Sequence, residues 1–358
     1  MNNVPDINET KDEDDVVYVD VNAEEADLSH SRIGRIEQFT KFKNLKNLIL
    51  RNNLLKKIEN LESLSSTLTH LDLYGNQIVK IENLCTLTKL KFLDLSFNRI
   101  SRIENLSHLS QLNELYLIKN RITKMENLDK LKSLELLELG DNQIQTIENI
   151  DALTNLRELY LGENKIKKIE NLDNVKNLKT LALPSNMIPT IEGIDNLHSL
   201  ESLYLSDNCL SKIEGLSCCS KLRILDLSSN KIAIIENLDN LACLEDLWMG
   251  NNKITNWKSL DVLTTLPSLI CVYFEGNPIQ KDDSLFLDLS FNRISRIENL
   301  SHLSQLNELY LIKNRITKME NLDKLKSLEL LELGDNQIQE ISDDRTFDYK
   351  PQEVFAGE

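Results

Sequence analysis

The chain has 358 residues, 41% of them hydrophobic, and carries 57 acidic against 41 basic side chains for a formal net charge of −16. That balance argues against nucleic acid as the main partner, since phosphate backbones are held by a positive stripe, and favours a soluble fold or a basic protein surface as partner. No apolar run approaches the ~20 residues of a membrane-spanning helix, and the opening MNNVPDINETKDEDDVV has neither the basic start nor the apolar stretch of a signal peptide, so the expected location is nucleus and cytoplasm.

In chain order, residues 1–27 read as an acidic disordered tail and residues 28–44 as an N-terminal capping half-coil. In that half-coil Leu28, Ile33, Ile36, Phe39 and Phe42 match the following repeat imperfectly, and Ser31 stands where the repeat has asparagine. From 45 to 282 one unit recurs, LxxLxLxxNxIxxIENLxxLxx. A clean copy runs through Leu90, Leu93, Leu95, Asn98, Ile100, Ile103, Leu106 and Leu109. The turn asparagine falls at 53, 76, 98, 120, 142, 164, 186, 208, 230, 252 and 277, and eight of the ten steps are 22 residues. The first step is 23 and the last 25, absorbing Ser65-Ser66 and an insertion near Thr264-Thr265.

The spacing has a physical reading. LxL at period two makes a short strand with both leucines inward. The asparagine bends the chain out of the strand, its amide satisfying backbone groups that the turn leaves open. The IxxIxNL stretch then returns along the back as a tight helical or 3-10 segment. One coil cannot bury its own apolar side chains, so each must stack on its neighbours. The pattern therefore predicts an α/β leucine-rich-repeat solenoid, with a concave parallel β-sheet and short helical or 3-10 segments on the convex side.

A second repeat lies over the first. Residues 92–145 and 286–339 are identical over all 54 positions. The offset is 194, which is not a multiple of 22, and the asparagine step from Asn277 to Asn292 is only 15. What is missing is the convex return, because QKDDS after Ile279 leads directly to Leu285. Residues 283–341 are thus expected to form up to three out-of-phase coils that pack poorly on the preceding stack or bend away from it. Residues 342–358 read as a disordered tail, with no C-terminal capping helix, which would leave an apolar end and a strand edge open.

The chemistry-bearing residues form no catalytic set. The histidines are 30, 70, 108, 198 and 302, and no nucleophile elbow, phosphate loop or zinc-protease motif occurs. The six cysteines (85, 209, 218, 219, 243, 271) have neither metal-site nor disulfide-framework spacing. The glutamates of the IEN stretch recur in nearly every coil and belong to the framework. The chain is read as a non-enzymatic scaffold without cofactor or metal.

The informative positions are those the repeat does not need. Between the two inward leucines of each LxL one residue must face the concave solvent: Ile49, Asp72, Asp94, Tyr116, Glu138, Tyr160, Ala182, Tyr204, Asp226, Trp248 and Tyr273. Five of these eleven are aromatic although aromatics form 5% of the chain, a density that suits interface anchors set in an acidic rim. The outward position two residues earlier adds Glu114, Glu158 and Asp246. Trp257 is placed on the convex side as packing.

The 22-residue unit with IENL at its back resembles the sds-type leucine-rich-repeat family of protein phosphatase 1 regulators. DLSHSRIGRIEQF, ALTNLRELYLGENKIKKIENL, LEDLWMGNNKITNW and VYFEGNPIQKD carry the resemblance, over about residues 26–282. It implies a concave face that clasps the protein phosphatase 1 catalytic subunit and controls its assembly and activity, with room for a further phosphatase inhibitor subunit in a ternary complex. The family's contact positions match here at Asp94, Tyr116, Glu138, Tyr160, Asp226, Asp246, Trp248 and Tyr273, which coincide with the stripe read from the repeat. Tyr204 joins them on the stripe alone. The departure is the C-terminus, where the copied block stands in place of the family's cap. The other reading open at this point is an sds-type adaptor for a cytoskeletal, ciliary or spliceosomal partner.

Overall fold

A computed structural model describes residues 20–281, 286–290, 294–298, 300 and 306–341. Each inward leucine pair of the repeat lies at a strand of three residues. In order these are Glu25–Asp27 (β1), Asn47–Ile49 (β2), His70–Asp72 (β3), Phe92–Asp94 (β4), Glu114–Tyr116 (β5) and Leu136–Glu138 (β6). Glu158–Tyr160 (β7), Thr180–Ala182 (β8), Ser202–Tyr204 (β9), Ile224–Asp226 (β10), Asp246–Trp248 (β11) and Cys271–Tyr273 (β12) follow. All twelve form one parallel sheet in sequence order, with the central leucines in register across the coils, as Leu93 with Leu115 and Leu115 with Leu137. Those leucines, the second leucine of each LxL and the return isoleucines make one continuous core, most of it fully buried from Leu45 to Leu269. Each such side chain contributes roughly 1.5–3 kcal/mol gross against the entropy of ordering it.

The asparagine works between coils as well as within its own. Asn98 donates from Nδ2 to the Leu95 carbonyl of its own turn and to the Leu73 carbonyl of the coil before, both at 3.0 Å. Its Oδ1 accepts the Ile78 amide at 2.9 Å. A buried polar side chain is thereby satisfied and two successive coils are pinned in phase. A second ladder was not visible in the pattern. The asparagine of IEN takes a left-handed backbone, φ near +59° at Asn105, and donates to the Ile81 carbonyl of the preceding coil at 2.7 Å. Gly193 and Gly215 fill that place in two coils with φ of +65° and +71°.

Two expectations are corrected. The acidic tail does not extend to residue 27: Glu25–Asp27 pairs in parallel with Asn47–Ile49, and Ala26 fills the core place of the strand leucine. An alanine among acids hides the strand signal. Residues 1–19, and with them most of that tail, lie outside the described residues, as do Asn292 and the C-terminal tail from 342. The convex return is less helical than expected. It is mostly turns closed by i→i+3 bonds, such as Leu109 N–H to the Leu106 carbonyl at 2.9 Å. Described 3-10 helices occur at Phe39–Lys41, Glu62–Leu64, Trp257–Thr265 and Pro278–Lys281, and the described residues contain no α-helix. The side chain of Trp257 is outside the described ones, so its expected packing stays an expectation.

The twelve-stranded sheet stops at β12. Phe286–Asp288 (β13), Glu308–Tyr310 (β14) and Leu330–Glu332 (β16) form a separate three-stranded parallel sheet. Lys318–Met319 (β15) pairs with Glu340–Ile341 (β17) on the return side. The short step between Asn277 and Asn292 explains the break, since the chain has no residues for a return that would bring β13 alongside β12. The copied block nevertheless caps the stack by apolar contact. Leu260, Val272, Phe274 and Ile279 meet Leu287 and Leu289 around a cavity of about 50 Å³.

Candidate functional site: the concave face

Alternation along each strand turns two side chains outward, one before and one after the buried leucine. In the first coils these build an aromatic row. His70 stacks on Phe92 with ring centroids 3.8 Å apart and planes 7° from parallel, and Phe92 lies 5.3 Å from Tyr116. His70 and Phe92 were missed by the sequence reading, although both occupy the outward place that singled out Glu114; the same period-two count would have found them. Burial pushes the His70 imidazole below its ordinary value, so it stays neutral more readily than an exposed histidine.

In the middle coils, carboxylates alternate with tyrosines. Tyr116 donates its hydroxyl to Glu114 at 2.9 Å, and Tyr160 donates to Glu158 at 2.6 Å. Burial, and then the carboxylate that accepts the hydroxyl, raises both phenols above their ordinary range. Glu138 sits between them, in register with Tyr116 on one side and Tyr160 on the other. Its Oε1 accepts the Gly140 amide at 2.8 Å. Burial raises this carboxyl to about 7, against a favourable pull from that amide.

The last coils hold the most exposed anchors. Trp248 and Tyr273 are neighbours in register, 38% and 37% exposed, and Trp248 meets the half-buried Tyr204 edge-on at 6.4 Å across the intervening strand. Asp246 lies on the same strand as Trp248, its carboxyl raised by burial and then by the charge of Glu245. An open depression beside these anchors is completed by Ser295, Arg296 and Glu298 of the copied block, so that block borders the end of the concave face.

Four residues expected to face solvent do not. Asp72, Asp94 and Asp226 are only 5%, 5% and 6% exposed. An aspartate is short enough to turn back on its own chain. Their Oδ1 atoms accept the amides of Tyr74, Ser96 and Ser228, two residues on, at 3.1, 2.8 and 2.9 Å. Arg51 further neutralises Asp72 at 2.7 Å and Asp94 at 3.5 Å. Ala182 is buried as well, at 7%. The accessible surface is therefore an aromatic row over β3–β5, the Tyr116–Glu138–Tyr160 centre, and the Tyr204–Trp248–Tyr273 cluster with Asp246. Its rim carries ion pairs such as Arg223 with Glu245 at 2.7 Å.

Nothing in this geometry resembles a reaction centre. Among the described residues no group of three or more His, Cys, Asp or Glu side chains could hold a metal ion, and no helix is long and apolar enough to cross a membrane. An open curved sheet with exposed aromatic side chains and half-buried carboxylates can bind a macromolecular surface.

Leucine-rich-repeat family models match residues 68–162, 190–232 and 220–262. Over 59 residues, 16% of this chain and 17% of the relative, the chain is 51% identical to protein phosphatase 1 regulatory subunit 7 of Xenopus tropicalis. Over 74 residues, 21% and 23%, it is 42% identical to the protein phosphatase 1 regulatory subunit SDS22 homolog of Caenorhabditis elegans. Over 89 residues, 24% and 26%, it is 43% identical to protein phosphatase 1 regulatory subunit SDS22 of Schizosaccharomyces pombe. These matches span about a quarter or less of the relatives' length, far less than residues 26–282. Among solved structures, the internalin InlF of Listeria monocytogenes has a TM-score of 0.60 at 23% identity, covering 90% of this chain and 87% of that one. The functional domain of InlJ from the same organism has a TM-score of 0.61 at 22% identity, covering 88% and 68%. At such identities the likeness shows the fold alone: this chain is a leucine-rich-repeat solenoid similar in sequence to protein phosphatase 1 regulatory subunits.

Proposed function

We propose that this solenoid is a non-enzymatic regulator of the protein phosphatase 1 catalytic subunit and holds it against the concave face of the twelve in-phase strands. The observation that carries the reading is the Tyr204–Trp248–Tyr273 cluster. Trp248 and Tyr273 remain more than a third exposed on a sheet whose other large apolar side chains are mostly buried. Exposed, pre-positioned tryptophan and tyrosine anchors are the composition of binding hot spots. Regulatory-subunit names among the similar proteins give the partner class.

In this reading Trp248 and Tyr273 fill pockets on the catalytic subunit, while Glu114, Glu138, Glu158 and Asp246 set register against basic side chains. Tyr116 and Tyr160 are held upright for contact by their bonds to Glu114 and Glu158. Asp94 and Asp226 support the turns behind the face. A further inhibitor subunit could share the rim in a ternary complex, and the working compartments are the nucleus and cytoplasm.

Titration of the purified chain with the catalytic subunit tests this. Trp248→Ala is expected to weaken binding by roughly 2–4 kcal/mol. Retention of wild-type affinity by that variant would overturn the assignment. Affinity capture that returns a cytoskeletal, ciliary or spliceosomal protein and no phosphatase would favour the adaptor reading instead.

A further inference from the structure

On the convex side one buried position repeats from coil to coil, filled by Leu109, Leu131, Leu153, Val175, Leu197 and Leu241, all fully buried. In the return between β9 and β10 the same position is Cys219, also fully buried, and the residue before it is the half-buried Cys218. Two neighbouring side chains in a strand would point to opposite faces. Here the turn at Ser217-Cys218 brings both sulfurs to one side, 3.5 Å apart. The Cys218 Sγ also lies 3.1 Å from the Ile194 carbonyl of the preceding coil, which holds its rotamer. The other cysteines, Cys85, Cys209, Cys243 and Cys271, stand singly in the sequence.

We propose that Cys218 and Cys219 form a vicinal-dithiol site for a trivalent arsenical, a thiophilic electrophile able to bridge two sulfurs. A single pyramidal trivalent centre bridges two sulfurs that lie in van der Waals contact, and the 3.5 Å between the Cys218 and Cys219 sulfurs meets that need. Cys218 reacts first, being the accessible thiol. Burial holds the Cys219 thiol protonated, so it is a poor nucleophile toward reagents arriving from solvent. Once arsenic is bound at Cys218, closure by Cys219 is intramolecular within one turn and is favoured accordingly. With an arsine oxide the step balances without an oxidant. Two As–S bonds form, the As=O bond breaks, both thiol protons leave with the oxide oxygen as water, and arsenic stays trivalent.

The test uses the full chain and phenylarsine oxide, with the adduct read as intact mass after a wash in excess monothiol. Single cysteines give monodentate adducts that the wash removes. The wild type is expected to retain one phenylarsenic group through the wash and to release it to a competing dithiol. Cys218→Ser, and separately Cys219→Leu, which restores the residue most coils carry, are expected to lose retention while staying folded by circular dichroism. No adduct surviving the wash in the wild type, or equal retention in either folded variant, would overturn the site.

Discussion

The same 54 residues occur twice in this molecule, and the two copies do not reach the same structure. In the first, within the stack, Leu93, Leu95, Ile100, Met125, Leu134, Leu137 and Leu139 are fully buried. In the second, Leu287 and Leu289 remain buried against the last in-phase coil, but the counterparts Met319, Leu328, Leu331 and Leu333 are only partly covered. The difference grows toward the C-terminal end of the described residues. Composition, turn chemistry and strand propensity are identical, so the loss of burial belongs to stacking alone. The hydrogen-bond pattern agrees. Ile144 in the first copy donates its amide to Asn164 of the next coil, whereas its counterpart Ile338 has no next-coil asparagine within the repeat. What survives the change of context is local: Tyr310 still donates to Glu308 at 2.8 Å, as Tyr116 does to Glu114.

The sharpest way to break this comparison is to truncate one leucine in each copy. Leu137→Ala should cost about 3–4 kcal/mol in urea denaturation, because a fully enclosed side chain leaves a cavity. Leu331→Ala, the same change at a half-covered site, should cost about 1 kcal/mol or less. Equal costs would mean that the second copy is as well stacked as the first.

Asparagine gives a smaller contrast. Asn142 is 8% exposed, accepts the Ile122 amide and donates to the carbonyls of Leu117 and Leu139. Asn336 makes the corresponding bonds to Ile316, Leu311 and Leu333 from a half-buried position. Water can replace partners only in the second case. Asn142→Ala is expected to lower stability by about 2–3 kcal/mol and Asn336→Ala by about 1 kcal/mol, measured by the same denaturation.

A pH series sharpens the account of the first copy. Burial raises the folded Glu138 carboxyl to about 7 from an ordinary 4.5. Below pH 4.5 it is protonated in both states. As pH rises from 4.5 through about 7 the unfolded chain releases the proton first, so the fold loses stability over that window. Glu138→Gln escapes this loss. The variant should therefore gain on the wild type across that range by on the order of 1–3 kcal/mol. A constant difference between the two across the range would show that Glu138 titrates normally.

Much of this architecture could be read from residue spacing. The 22-residue period, the inward leucines and the turn asparagines correspond to the strands and ladders found, because periodicity and burial are tied by the geometry of a strand. The exposed Trp248 and Tyr273 follow from the same count. Other features did not show in the pattern for definite physical reasons. Strand β1 is signalled by Ala26, whose small side chain carries little pattern. Asp72, Asp94 and Asp226 share the phase of the tyrosines, yet a side chain one carbon from the backbone bonds its own turn while a phenol projects past it. Phase shows which face a residue occupies, and side-chain length decides whether it reaches the solvent. The 3-10 content of the return was overstated because an apolar period of three or four is satisfied equally by successive tight turns.

The central claim is that the in-phase concave face, and not the copied sheet, receives the partner. Tyr116 and Tyr310 are the same residue of the two copies, each hydrogen-bonded to its own glutamate. Calorimetric titration of the protein phosphatase 1 catalytic subunit into Tyr116→Ala and Tyr310→Ala compares them directly. The account predicts a loss of about 1–2 kcal/mol for Tyr116→Ala and wild-type affinity for Tyr310→Ala. Loss of affinity in Tyr310→Ala with Tyr116→Ala unaffected would contradict it.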